Sequence, residues 1–89
     1  MRGIVHTSHF KRDYKKKSRE RGLDPLLAGI INKLAGGEAL ETKFRDHPLK
    51  GGYVGCRECH LKPDLLLIYA QTPDELRLVR LGSHSELFD

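Results

Sequence analysis

Asp64-Leu65-Leu66-Leu67-Ile68-Tyr69-Ala70 is an almost unbroken apolar run in a chain of 89 residues. Pro63 precedes it, and the turn-forming Thr72-Pro73-Asp74 follows it. A short apolar run bounded by turn residues is typical of a strand that is covered on both faces. The run therefore predicts the central strand of a sheet with other elements packed on both sides.

The segments around this run also have the composition of strands. Residues 53–61 lie before it and residues 75–81 after it. Because the connections are short, these three strands are expected to form an antiparallel meander. At the other end of the chain, residues 2–6 predict a short first strand.

The first third of the chain has helical patterns. Residues 8–21 predict a basic helix, in which Phe10 and Tyr14 are four apart and face the core together. In a second helix, Asp24 is the expected N-cap and Pro25 the first helical residue. The apolar stripe of this helix consists of Leu26, Leu27, Ile30, Ile31 and Leu34. We expect an antiparallel pair of helices joined by a short turn.

Ser83 and Glu86 have the spacing of a capping box, so residues 83–88 predict one closing helical turn. The sequence as a whole predicts an α+β fold, with two N-terminal helices packed on a small antiparallel sheet in the order β-α-α-β-β-β. No repeat or long linker divides the chain, and we expect a single domain over residues 1–89.

The positive charge of the chain is concentrated near its N-terminus. The formal net charge is +4, but the first 22 residues carry eight lysines and arginines against two acidic residues. Such a block suits a polyanion, most simply nucleic acid, and Lys15, Lys16 and Lys17 are its densest part. A solvated helix face would produce the same pattern.

No stretch approaches the roughly 20 apolar residues of a membrane-spanning helix. The opening Met1-Arg2-Gly3-Ile4-Val5-His6 lacks the apolar core of a secretory signal. We therefore expect a cytoplasmic protein without membrane contact, whose two cysteines are reduced thiols.

Cys56-Arg57-Glu58-Cys59-His60 matches the short signature of covalent haem attachment. That attachment normally follows export, and the only methionine available as an axial ligand is Met1. A zinc site would need two further ligands, and a redox pair would need a strand-to-helix context. The two cysteines point to opposite faces of the predicted strand. We expect two buried or half-buried thiols, no metal site and no cofactor.

Ionisable side chains gather in the second half of the chain, where each lies near a Pro, Gly or Ser residue that suggests the end of an element. The set consists of His47, His60, Asp64 and His84, with the cations Lys50, Arg57 and Arg80 among them. Imidazole moves protons near neutral pH, and cationic neighbours add affinity for phosphate. If the fold brings these side chains together, they predict a site that cleaves phosphodiesters.

Four blocks within residues 44–88 resemble the YafQ branch of the RelE/ParE toxin superfamily, the RNA-cleaving toxins of bacterial toxin–antitoxin pairs. The blocks are Asp46-His47-Pro48-Leu49-Lys50-Gly51, Arg57-Glu58-Cys59-His60, Lys62-Pro63-Asp64-Leu65-Leu66-Leu67-Ile68-Tyr69 and Arg80-Leu81-Gly82-Ser83-His84-Ser85-Glu86-Leu87-Phe88. They occur in the family's order and cover about half of the chain. One departure is Cys56, where related chains often carry a bulkier or aromatic residue.

The resemblance implies a RelE-like α+β fold with His47, His60, Asp64 and His84 on the open side of the sheet. It also implies a toxin that enters the ribosomal decoding site and cuts the bound messenger RNA. A cognate antitoxin of the RelB or DinJ type would wrap the toxin and keep it inactive. Operator DNA would be bound only through the antitoxin complex.

The residue types suit metal-independent cleavage, in which the 2′-hydroxyl of the RNA attacks the adjacent phosphorus. We assign His84 as general acid and either His47 or His60 as general base. Asp64 would orient a histidine or act as the base itself. If Ser83 caps a helix, the positive helix end disfavours an imidazolium at His84, and the acid and base roles could be exchanged.

The expected RNA-binding residues are Arg80, Phe88, Lys50, Arg57, Lys15, Lys16 and Lys17. Arg80 would hold the scissile phosphate, and Phe88 would stack on the target base or wall it off. Each residue also has an ordinary interpretation: Arg80 could pair with Glu58 or Asp64, and Phe88 could anchor the C-terminal tail in the core. An isolated histidine is usually a surface or polar-network residue.

A second interpretation is a non-enzymatic toxin, because ParE-type relatives share the fold but act by binding DNA gyrase. Those relatives lack the histidine-rich site. The presence of His47, His60, Asp64 and His84, which a pure binder would not need, favours the nuclease.

Overall fold

The structure, a computed structural model, describes residues 1–88. In chain order, the elements are β1 (Gly3–His6), α1 (Ser8–Lys17), α2 (Leu23–Ala35), β2 (His47–Pro48), β3 (Arg57–Lys62), β4 (Leu65–Gln71), β5 (Glu75–Gly82) and α3 (His84–Phe88). Two 3₁₀ turns, Thr42–Phe44 and Gly51–Tyr53, flank β2. None of the helices in this part of the chain is long and apolar enough to cross a membrane.

The five strands form one sheet in the order β1-β5-β4-β3-β2. The strands β3, β4 and β5 pair antiparallel, as the predicted meander requires. β1 runs parallel to β5, with Gly3 opposite Glu75 and His6 opposite Leu78. The α+β class and the helical layer are confirmed, but the expectation of a purely antiparallel sheet is wrong. Short turns impose antiparallel pairing only on consecutive strands, and β1 and β5 are separated by most of the chain.

β4 is buried on both faces, as its composition predicted. Leu65, Leu67 and Tyr69 belong to the core that includes residues of α1 and α2, and this side of the sheet is called the helix face below. Leu66 and Ile68 point to the other side and pack with Leu87 of α3. That second side is called the open face, because within residues 1–88 the hydrophobic residues packed on it come from α3, the neighbouring strand β5 and the segment around the second 3₁₀ turn.

A bulge in β5 decides which face Arg80 occupies. Leu78 pairs with Tyr69 and Arg80 pairs with Ile68, so Val79 is the extra residue between them. Strict alternation from Leu78 would place Arg80 on the helix face. The bulge shifts it by one position, to the open face.

The helix ends differ from the predicted ones. α1 ends at Lys17 rather than at residue 21. Gly22, in a left-handed conformation with φ 76°, precedes α2, which begins at Leu23. The prediction of Asp24 as N-cap is therefore wrong, because Asp24 is the second residue of α2. Its carboxylate accepts a hydrogen bond from the Tyr14 hydroxyl.

β3 begins at Arg57, whereas the predicted strand began at residue 53. Gly51 and Gly55 have positive φ angles of 66° and 89°, which glycine adopts readily. These two residues turn the chain around the 3₁₀ turn Gly51–Tyr53, so that pairing with β4 starts later.

α3 begins with the predicted capping box. The Ser83 amide donates to Glu86 Oε1 at 2.7 Å, and the Glu86 amide donates to Ser83 Oγ at 3.3 Å. A Cβ atom at Gly82 would lie only 3.1 Å from Glu86 Oε1 and 3.2 Å from Leu87 Cδ2. Glycine at this position therefore lets α3 pack directly on the end of β5.

Candidate active site

Polar side chains form a row across the open face. His47 of β2 is opposite Glu58 of β3, Glu58 is opposite Ile68, and Ile68 is opposite Arg80. Residues in register on neighbouring strands share a face of the sheet. His60 lies two residues after Glu58 and so shares this face, and its ring centroid is 6.2 Å from that of His47. The fold therefore brings His47, His60 and Arg80 to one surface.

Glu58 is the deeply buried member of this row. Only 3% of the residue is exposed, and its Oε2 lies 2.9 Å from Nε2 of His47. Its other oxygen, Oε1, has no hydrogen-bond partner among the described residues. A buried polar atom without a partner costs roughly 1–3 kcal/mol. An unsatisfied carboxylate beside two histidines is therefore the pattern of a site kept open for a ligand or a reaction.

His47 is held between two acceptors. Its Nδ1 lies 2.6 Å from the carbonyl oxygen of Arg45, and its Nε2 faces Glu58. Both ring nitrogens of His47 therefore face oxygen atoms of the protein, whereas no described residue hydrogen-bonds to a ring nitrogen of His60.

Asp64 and His84 meet at the start of α3. The backbone amide of His84 donates to Asp64 Oδ1 at 3.0 Å, so the carboxylate lies at the positive end of this short helix. The His84 ring is exposed. In this arrangement Asp64 orients the backbone of His84 and not its imidazole.

The other end of α3 shapes the surface around His84. The Phe88 ring lies 4.9 Å from the His84 ring and 5.6 Å, edge to face, from the Tyr53 ring. Phe88 is 39% exposed. It is thus anchored on one side by Tyr53 and free on the other, which is compatible with stacking on a base and with anchoring the tail.

Arg80 is held by a carboxylate that the sequence did not suggest. Its Nε and Nη2 donate to the two oxygens of Asp13 in α1 at 2.6 and 3.2 Å, and its Nη1 lies 3.5 Å from the Tyr53 hydroxyl. Asp13 also accepts from the Leu81 amide at 3.0 Å. The hydrogen bonds that Arg80 donates to Asp13 raise the pKa of Arg80. Burial alone would raise the pKa of Asp13, but the bonds from Arg80 and Leu81 lower it.

α1 is also tied to α3. Lys17 Nζ lies 2.9 Å from Glu86 Oε1. The hydrogen bond from the Ser83 amide, together with this ion pair, lowers the pKa of Glu86 to about 2. Lys15 and Lys16 are exposed in the same last turn of α1. The basic end of α1 therefore lies next to the helix that carries His84.

Two of the expected RNA-binding cations lie elsewhere. Arg57 is in register with Tyr69 on the helix face, and its Nε donates to Asp46 at 3.1 Å. The structure thus separates Arg57 from the histidines. Lys50 is exposed between β2 and the second 3₁₀ turn. The functional role of each of these residues stays a prediction.

Sequence reasoning missed Glu58, Asp13 and Tyr53 as members of the site. For Glu58 a signal was available, because residues two apart on a strand share a face and His60 had been selected. Asp13 and Tyr53 reach Arg80 from other elements, and no local pattern reports such contacts.

The two cysteines fit the expectation of buried or half-buried thiols. Both are free: Cys59 is fully buried on the helix face, and Cys56 is half-buried on the open face. Burial raises the pKa of the Cys59 thiol to about 12. The thiol is therefore protonated and inert at neutral pH.

One group in the described part of the chain has the geometry to hold a metal ion. His47, Glu58 and His60 each offer a ligand atom, and these atoms all lie within 4.8 Å of one another. Imidazole and carboxylate are ligands that suit copper, zinc and nickel. The prediction of no metal site was made without Glu58 in the set.

The fold is that of small bacterial toxins that pair with antitoxins, and the comparison with protein families identifies the branch. The family of YafQ, described as the bacterial toxin of a type II toxin–antitoxin system, matches residues 2–89. The chain therefore belongs to the YafQ family of type II toxins.

Individual relatives agree with this membership. The mRNA interferase toxin YafQ of Escherichia coli K12 is 34% identical over 98% of this chain and 96% of its own length. A metal-bound toxin from Helicobacter pylori is 47% identical, with a TM-score of 0.91 over 99% of this chain and all of its own. YafQ in the Escherichia coli DinJ–YafQ complex is 31% identical, with a TM-score of 0.89 over the full length of both chains.

Proposed function

We propose that this toxin is an endoribonuclease that cleaves messenger RNA on the ribosome by metal-independent general acid–base catalysis. The observation that supports it most is the row across the open face, in which His47, Glu58 and Arg80 lie in register beside His60. The naming of the Escherichia coli relative as an mRNA interferase supports the same substrate. Membership of the YafQ family favours this function over the gyrase-binding alternative.

In the proposed reaction, a base removes the proton of a 2′-hydroxyl, and the oxygen attacks the adjacent phosphorus. The bond from phosphorus to the 5′-oxygen breaks, a 2′,3′-cyclic phosphate forms, and an acid protonates the leaving oxygen. We assign the base to His60, because both nitrogens of His47 face acceptors. The acid is His84, which is exposed at the start of α3. Each general acid or base typically contributes roughly 10²–10⁴-fold.

Charge stabilisation of the pentacoordinate phosphorane comes from Arg80 in this scheme. Arg80 retains a guanidinium edge near the Tyr53 hydroxyl while Asp13 fixes its other edge. Preorganised charges of this kind are often the largest contribution to catalysis.

A cognate antitoxin controls the toxin, as the DinJ–YafQ complex of the Escherichia coli relative suggests. We propose that it covers the open face, because an active site without a lid is best silenced by blocking it. The exposed Lys15 and Lys16, with Lys17, would contact ribosomal RNA. Operator DNA would be bound through the antitoxin. Such a protein acts in the cytoplasm, where ribosomes and their messages are found.

The first experiment compares the wild-type chain with His84→Gln after induction in bacteria, with 5′ ends of messenger RNA mapped by primer extension. In-frame cuts with wild type alone would support the nuclease. Arrested growth without new 5′ ends would contradict it and would make DNA gyrase the next target. Binding of a co-expressed antitoxin by both chains controls for folding.

A second candidate function is the binding of a transition metal ion by His47, Glu58 and His60, whose ligand atoms cluster within 4.8 Å. A bound ion would occupy the proposed base and inhibit cleavage. Calorimetric titration with Cu²⁺ should show binding to wild type and weaker binding to Glu58→Gln. The exposed His9→Gln is a matched control. Equal affinity of all three chains would rule the cluster out as the metal site.

A further inference from the structure

A cationic pocket adjoins the active site at the open edge of β3. β2 pairs only with Arg57 and Glu58, so the later residues of β3 face the 3₁₀ turn Thr42–Phe44 and not a strand. The space between them has a volume of about 420 Å³, which lies within the roughly 300–1,000 Å³ of typical ligand pockets. His60 forms part of its wall, so the pocket opens beside the proposed base.

The lining of the pocket combines an apolar wall with positive charge. The apolar residues are Leu26, Phe44, Leu61 and Pro63, and the cations are Lys43, Arg45 and Lys62. Among residues 1–88, no acidic residue lines it. A cationic rim around an apolar surface is the usual design of a site for single-stranded nucleic acid.

The three cations are not equally available. Lys62 donates to the Arg21 carbonyl at 2.7 Å, and Lys43 lies 3.8 Å from a carboxylate oxygen of Glu41. Within residues 1–88, no carboxylate lies within ion-pair distance of the Arg45 guanidinium. Arg45 is therefore the cation of this pocket that can bind an outside anion without breaking an internal contact.

The backbone of Arg45 links this pocket to the catalytic row. Arg45 has a left-handed conformation, with φ 49° and ψ 43°, which is uncommon for a residue with a side chain. The conformation places its carbonyl oxygen 2.6 Å from Nδ1 of His47, and the same residue lines the pocket. Backbone strain of this kind concentrates at functional sites.

We propose that this pocket holds the messenger-RNA nucleotide next to the scissile phosphate. Arg45 binds the phosphate of that nucleotide, and the apolar wall packs against its base or ribose. The proposal rests on the proposed endoribonuclease function and adds to it a residue outside the catalytic row, which aligns the RNA strand so that its 2′-hydroxyl reaches His60.

The test measures cleavage on ribosomes programmed with messages in which single flanking phosphates are replaced, one at a time, by uncharged methylphosphonates. We expect Arg45→Gln to slow cleavage of the natural message about tenfold, as for loss of one charge-assisted hydrogen bond. At one flanking position, a methylphosphonate should slow cleavage by the wild-type toxin. At that position it should not slow cleavage by Arg45→Gln any further, because the variant no longer contacts that phosphate. Glutamine keeps the backbone carbonyl that holds His47.

Arg77→Gln is the matched control, because Arg77 is an exposed guanidinium on the far half of β5 and pairs with Glu75. It should cleave every message like wild type. The proposal is overturned if, at every position, the fold-reduction in cleavage rate caused by the methylphosphonate is the same for Arg45→Gln as for wild type. Arg45 would then contact ribosomal RNA or no RNA at all. Failure of wild type to cut any message would overturn the endoribonuclease itself, a result distinct from loss of the pocket alone.

Discussion

Two polar clusters lie back to back across the sheet, built from residues that are neighbours in the chain. Asp46 and Arg57 point to the helix face, where Asp46 accepts from Arg57 at 3.1 Å and from the Tyr69 hydroxyl at 2.6 Å. The next residues, His47 and Glu58, point to the open face, where one oxygen of Glu58 has no partner among the described residues.

The two clusters contain similar residue types, but they differ in whether their carboxylate oxygens have hydrogen-bond partners. The helix-face cluster uses the half-buried carboxylate of Asp46 to complete hydrogen bonds inside the fold. Burial, with the bond to Asp46, raises the pKa of Tyr69. In the open-face cluster, one buried oxygen of Glu58 has no hydrogen-bond partner among the described residues, although two histidines lie beside it. A completed network contributes to stability, whereas an incomplete one costs stability and is retained where it serves function. The predictions below test this division.

The largest effect should come from the proposed base. His60→Gln is expected to lower the rate of messenger-RNA cleavage by roughly 10²–10⁴-fold, because the 2′-hydroxyl loses its proton acceptor. The rate is measured on programmed ribosomes, with His9→Gln as the control. A loss of less than threefold would move the base to another residue.

Glu58→Gln should lower the cleavage rate by a smaller factor, roughly 10–100-fold, because His47 loses the carboxylate that fixes its ring at 2.9 Å. Its free energy of unfolding, from urea denaturation, should stay within about 1 kcal/mol of wild type, since the amide oxygen can still face His47 and the position of Oε1 has no hydrogen bond to lose. A marked loss of stability would show that Glu58 is structural, as Asp46 is.

Asp46→Asn should give the opposite result. The free energy of unfolding is expected to fall by about 1–3 kcal/mol, because Arg57 and Tyr69 lose a charged acceptor. The cleavage rate of the folded variant should match wild type. Reduced cleavage with unchanged stability would remove the division between the two faces.

The smallest effect concerns the cover of the open face. Glu86 has a pKa lowered to about 2 in the folded chain from an ordinary value of 4.5. Its contribution to stability is therefore complete above about pH 4.5 and is lost as the pH falls towards 2. The free energy of unfolding should therefore fall less between pH 4.5 and pH 2 in Glu86→Gln than in wild type. Because Glu86 is half-exposed, this difference should be below about 1 kcal/mol. Identical acid limbs would contradict the lowered pKa.

Much of the fold could be predicted from local patterns. The apolar run in β4, the capping box at Ser83 and Glu86, and the meander of the last three strands depend on neighbours in sequence, and all three are confirmed. The parallel pairing of β1 with β5 was missed, because it joins segments that no short turn connects.

The site could be predicted only in part, for the same physical reason. Residue types and the family resemblance selected His47, His60 and Arg80, which the fold brings to one face. Counting positions along β5 would have misplaced Arg80, since the bulge at Val79 reverses the alternation. Asp13, which fixes Arg80, lies on a helix far from it in sequence, and its role is visible only in three dimensions.

The pairing of β1 with β5 has a consequence for synthesis of the toxin. The first strand finds its partner only after residues 75–78 have been translated, and His84 follows them in the chain. Closing so long a loop makes this edge of the sheet slow to form. The sheet, with the row of polar side chains on its open face, is thus complete only after nearly all of the chain has been translated.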